Sequence, residues 1–199
     1  MHLGILTALF LIATVTVAAA DDALLGAVAA GNRHSVEQAL ENGADINSRA
    51  PDQATLLIIA ALHDQPAIAE LLVNKGADVM ARNSGGFTPL HAAAYSGSLP
   101  IAKLLLEKGA ALEDAANKAG VSPLMVAGEE NRVAVAEFLI ARGANVGHAE
   151  IHGYMPISRA FWKGNTEIVK LYRRHGATCQ GPQVLGTLAN VEKCMDIHD

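Results

Sequence analysis

Two groups of side chains in this sequence have types and spacings that could do chemistry. His148, Glu150 and His152 alternate along one short stretch. In an extended arm, alternate residues share a face, so two imidazoles and a carboxylate could meet at a divalent metal. The same spacing suits a solvated turn, which is the favoured reading. The second group is Cys179 and Cys194, the only two cysteines. They lack the Cys-x-x-Cys proximity that tunes a thiolate for redox work, so in an oxidising compartment a structural disulfide is expected. Such a bond would close a loop of roughly 15 residues and stabilise it by about 3 kcal/mol. The sequence holds no Gly-x-Ser-x-Gly elbow, phosphate-cradling glycine loop, haem-attaching Cys-x-x-Cys-His or His-Glu-x-x-His. A non-enzymatic protein without a cofactor or resident metal is expected.

The elements that would carry these residues show themselves by repetition. The pairs Gly43-Ala44, Gly76-Ala77, Gly109-Ala110, Gly143-Ala144 and Gly176-Ala177 recur at intervals of 33, 33, 34 and 33 residues. Counting 21 residues back from each glycine reaches Asp22, Thr55, Thr88, Ser122 and Met155. All but Met155 can cap a helix start through a side-chain oxygen. In the middle unit, Pro89 suits the first helical position and Leu90, Ala93 and Ala94 form an apolar stripe. Apolar pairs such as Ile68 with Leu72, Ile101 with Leu105, Val135 with Leu139 and Ile168 with Tyr172 mark a second helix per unit.

The run Thr88-Pro89-Leu90-His91-Ala92-Ala93 resembles the ankyrin-repeat signature Thr-Pro-Leu-His-x-Ala. The resemblance implies an all-α solenoid of about five helix-turn-helix repeats, at about 22–49, 50–82, 83–115, 116–149 and 150–177, with short β-hairpin fingers. It also implies a structural, hydrogen-bonding role for His91. Residues 178–199 leave the pattern and are read as a C-terminal cap, with a short helix within 184–195. By family register, a concave protein-binding face would carry Ile59, Leu62, Phe87, Tyr95, Val121, Glu129, Tyr154, Arg159 and Trp162. Tyr, Trp and Arg tend to dominate interface energetics, and the resemblance favours Tyr95 and Trp162 among them, because their position is variable and outward-facing in the family.

Fifteen Lys plus Arg against twenty acids give a formal charge of −5, and aromatic residues make up only 4%. No basic stripe tracks a phosphate backbone, so a nucleic-acid partner is not expected. Residues 1–20 carry no charged side chain and end in Ala18-Ala19-Ala20. That pattern reads as a signal peptide, although His2 stands where a Lys or Arg is usual. The expected mature protein is monomeric, free of membrane spans, and periplasmic in a bacterium or otherwise secreted. The family resemblance implies a scaffold binding another protein, of the kind that protects or supports envelope proteins, including antioxidant enzymes. Alternatives are a toxin-neutralising immunity protein and a metal- or redox-active protein using His148, Glu150, His152 and the cysteines. Intact mass of the exported protein should show cleavage after Ala20; a chain still beginning at Met1 would mean a retained anchor.

Overall fold

The computed structural model describes residues 22–197. The signal-peptide reading of residues 1–20 lies outside them, as do the last two residues of the tail. Five helix pairs follow one another: α1 (22–29) with α2 (Arg33–Glu41), α3 (Leu56–Leu62) with α4 (Pro66–Asn74), α5 (Pro89–Ser96) with α6 (Leu99–Glu107), α7 (Pro123–Glu129) with α8 (Val133–Ala141), and α9 (Pro156–Trp162) with α10 (Thr166–Arg174). Two short helices, α11 (Pro182–Leu185) and α12 (Leu188–Met195), close the chain. The tail helix expected within 184–195 is therefore broken in two, at Gly186, which takes φ 84°. No described helix is long and apolar enough to cross a membrane.

The recurring Gly-Ala pair follows from helix termination. Each of these five glycines has φ between 88° and 95°, a left-handed corner that side-chain-bearing residues enter at a cost. The following alanine then donates its N–H back to the last helical turn: Ala77 to Leu72 O, Ala110 to Leu105 O and Ala144 to Leu139 O, at 2.9 to 3.0 Å. Small residues let the first helices approach, so α3 packs on α5, α5 on α7 and α7 on α9, while the second helices stack alongside. Leu56, Leu72, Leu90, Leu105, Leu124 and Leu139 are fully buried between them.

The fingers between repeats are not β-hairpins. Among the described residues there is no strand, only an isolated antiparallel bridge between Arg49 and Thr55. Three of the fingers are tight loops in which one N–H reaches a carbonyl four residues on, from Ala50 to Ala54, from Asn83 to Phe87 and from Glu150 to Tyr154, while in the remaining one the Asn117 side chain donates to Val121 O. A loop that short has no room for a ladder. Its spare groups go sideways, Ser84 N–H to Asp52 O, Lys118 N–H to Gly85 O and Ile151 N–H to Ala119 O.

Side chains extend the same cross-repeat bonding. Gln65, Arg132 and Asn165 stand just before α4, α8 and α10 and donate to Ala29 O, Tyr95 O and Gly128 O of the preceding repeat. At the matching place Ser98 is too short, its buried hydroxyl has no hydrogen-bond partner among the described residues, and Ser96 donates to Ala61 O instead. Arg82 clasps both oxygens of Asp114 on the next finger. Burial alone would raise the Asp114 carboxyl, but the Arg82 hydrogen bonds and charge outweigh it and hold the group below its ordinary value.

His91 takes the structural role expected of it. Its Nε2 bonds Val121 O at 2.9 Å, which requires a proton there, leaving Nδ1 to accept from the Thr88 N–H at 3.2 Å and the Thr88 hydroxyl at 2.9 Å. That set is complete for the neutral ring, and burial lowers the His91 pKa despite the Val121 bond. The unfolded chain thus binds a proton at His91 that the fold refuses, so this contribution is present above about pH 6.5 and lost as pH falls below it. Urea unfolding should show stability declining between about pH 7.5 and about pH 5, with a flatter profile in His91→Gln.

Two departures from the repeat pattern explain each other. Tyr172 fills the place of an aliphatic residue, is fully buried, and donates its hydroxyl to Leu124 O at 2.8 Å. It fits because Gly128 has no side chain: a Cβ there would lie 2.3 Å from Tyr172 Oη. In an open helix Gly→Ala gains about 1 kcal/mol, but here Gly128→Ala should cost roughly 1–3 kcal/mol through overpacking. Adding Tyr172→Leu should recover part of that loss in denaturant unfolding, a coupling between touching residues.

Candidate functional site

The first helices and the fingers form the walls of a recess of about 340 Å³, predominantly apolar, that draws on repeats two to five. Leu62, Phe87, Tyr95, Val121 and Val126 supply its apolar lining, and Glu129 with Arg159 stand on its wall. Tyr95 is 50% exposed and Leu62 38%, unusual for large apolar side chains on a well-packed stack. The Phe87 ring meets His91 edge-on, with centroids 5.4 Å apart, so the residue holding the finger to α5 also fixes that ring.

The polar wall is an ion pair between repeats. Arg159 Nε donates to Glu129 Oε2 at 3.0 Å, its Nη2 reaches the same oxygen, and Lys163 Nζ lies 3.2 Å from Oε1. Burial pushes the Glu129 carboxyl up, but Arg159 and then Lys163 more than offset this and hold it below the ordinary range. The carboxylate therefore stays ionised and Arg159 keeps one orientation. A fixed polar edge beside an apolar hollow can orient a bound chain without any bond being made or broken.

Six of the nine residues assigned to the face line this recess: Leu62, Phe87, Tyr95, Val121, Glu129 and Arg159. Val121 is only 4% exposed, so it serves as floor. Ile59, at 9% exposure, belongs to the core, and Ile58 lines the recess in its place. Tyr154 stays on its finger, its ring 6.5 Å from that of His152. Trp162 is 53% exposed but faces a different hollow, shared with Phe161, Asn190, Lys193 and Ile197 at the tail. Tyr95 and Trp162 thus mark two recesses.

The His148, Glu150 and His152 group is occupied by other work. Glu150 is buried and its Oε1 accepts the N–H groups of His152 and Tyr154, while His148 Nε2 bonds Gly120 O. Asn83 and Asn117 accept in the same way from the second and fourth residues after them. Glu150 stands in their register, 33 residues after Asn117. It is the turn-forming residue of its finger, and among the described residues no cluster of His, Cys, Asp or Glu could hold a metal.

Cys179 and Cys194 form the expected disulfide, with an S–S distance of 2.01 Å. What the sequence reading missed is Gln180 beside it. Met155 cannot cap α9, and the Gln180 side chain does so from outside the repeats, accepting the Met155 N–H at 2.8 Å and the Ser158 hydroxyl. Its amide nitrogen donates to Gly153 O at 2.8 Å. The absent cap at residue 155 was the one available signal.

A model of three ankyrin repeats matches residues 24–116, and a single ankyrin-repeat model matches residues 119–150. Together they span more than half of the chain and end just before α9, where the sequence departs furthest from the pattern. A search of curated proteins found no match. Five helix pairs closed by left-handed Gly-Ala corners, a capping threonine bound to its histidine, and these two matches establish one conclusion: the chain belongs to the ankyrin-repeat family.

Proposed function

We propose that this protein is an exported, non-enzymatic scaffold that binds another protein in the recess formed by its first helices and fingers. The observation that carries the reading is the half-exposed Tyr95, set with Leu62 and Phe87 beside the fixed Glu129–Arg159 pair. Monomeric proteins seldom leave large apolar groups together in a concavity unless something covers them. The family's common use as an interaction module supports the same reading.

Export to the periplasm, or secretion, is supported by the signal-like residues 1–20 and by a tail disulfide that persists in oxidising surroundings. Within that setting, we favour support or protection of an envelope protein such as an antioxidant enzyme. Co-purification from the native envelope, followed by the partner's activity half-life with and without this protein, tests that role; an unchanged half-life rejects it.

Tyr95→Ala should weaken the captured complex by roughly 1–3 kcal/mol while leaving the melting temperature nearly unchanged. Leu105→Ala, which empties a core position, should lower stability by roughly 2–5 kcal/mol instead. If Tyr95→Ala destabilises the fold as Leu105→Ala does and leaves affinity intact, the ring is a packing residue. Trp162→Ala separates the two recesses: loss of binding there would move the partner's footprint onto the tail.

A further inference from the structure

The end of a repeat stack is its weakest place, because the last repeat has a neighbour on one side only. Here the open side is covered by the tail, and the cover rests on three contacts. Leu185 and Cys194 are fully buried. Arg173 on α10 donates to the carbonyls of Met195 and Ile197, at the end of α12 where the helix dipole favours a cation. Gln180 reaches the other way and caps α9.

Gln180 is the residue next to Cys179, and Cys194 is anchored among buried side chains. The disulfide therefore fixes the backbone from which Gln180 must reach Met155 and Gly153. One turn beyond Met155, the same short helix carries Arg159, whose guanidinium forms the polar wall of the recess. α9 has seven residues, too few to hold a helix by itself in water.

We infer that the Cys179–Cys194 bond is a redox lock on α9: closed, it holds Gln180 in its capping position and Arg159 in the recess wall, and opened by a dithiol it releases both. Cys179 is the partly exposed member of the pair and Cys194 the buried one. A thiolate of the reductant attacks Cys179 Sγ, the sulfur–sulfur bond breaks, and Cys194 leaves as a thiolate that takes up a proton. The second thiol of the reductant then displaces Cys179, leaving two protein thiols and one reductant disulfide, a two-electron exchange. A chaperone or protective scaffold regulated this way would sense the same oxidant that threatens its partner. That consequence rests on the binding role proposed above; the lock itself does not.

The test uses the whole chain and needs no partner. Trp162 is the only tryptophan, and it borders the hollow between α9 and the tail, so its emission reports on this boundary. Hydrogen exchange of α9 amides should accelerate about tenfold or more on reduction with dithiothreitol, with a shift in Trp162 emission and unchanged protection in α5. Cys179→Ser with Cys194→Ser should behave as the reduced protein without reductant. Gln180→Ala, its disulfide intact, should accelerate α9 exchange on its own, as loss of a cap requires. Unchanged α9 exchange on reduction overturns the lock, and equal acceleration in α5 overturns it too, by making the bond a global staple. Fast α9 exchange on reduction with none in Gln180→Ala removes Gln180 as the link and overturns the proposal as stated.

Discussion

A helix pair of this length leaves one apolar flank and several backbone polar groups that it cannot satisfy by itself, and that constraint governs the rest of the molecule. Each repeat's flank is met by the next repeat's first helix, where alanines allow close approach. Its polar groups are met the same way, finger to finger through Ser84, Lys118 and Ile151, and helix to helix through Gln65, Arg132 and Asn165. An unmet buried group costs about 1–3 kcal/mol, comparable with a sizeable share of a domain's net stability, so stacking is compulsory.

The departures from the repeat follow from the same constraint. Tyr172 brings a hydroxyl into the core and must find an acceptor, which it does at Leu124 O, and its bulk is admitted only because Gly128 opposite lacks a side chain. Met155 offers no cap, so the chain supplies Gln180 from elsewhere and ties that supply down with a disulfide. The recess uses what the stack does not need. Tyr95 and Leu62 keep much of their side chains exposed in it, and the Glu129–Arg159 pair that joins α7 to α9 also becomes its polar wall.

The repeat number and the helix starts could be read from the residues, because each depends on local geometry recurring every 33 or 34 positions, whereas the role of His91 came from the family resemblance, since the equivalent positions hold Ile58, Met125 and Ser158. Six of the nine residues that the family register assigned to the face line one recess, since a repeated backbone repeats its side-chain directions. Ile59, Tyr154 and Trp162 lie outside that recess: Ile59 is buried in the core, Tyr154 stays on its finger, and Trp162 borders the non-repeating tail. Glu150 was legible in principle: its register with Asn83 and Asn117 marks it as the brace of a finger, though its neighbouring histidines invite a metal reading. Gln180 and the Gly128–Tyr172 fit were not legible, because both join residues at least 22 positions apart with no period between them. Sequence by itself determined what each repeat is, through local backbone demands; only the folded structure decided how the last repeat is closed, because the groups left over there are met by a tail that obeys no repeat.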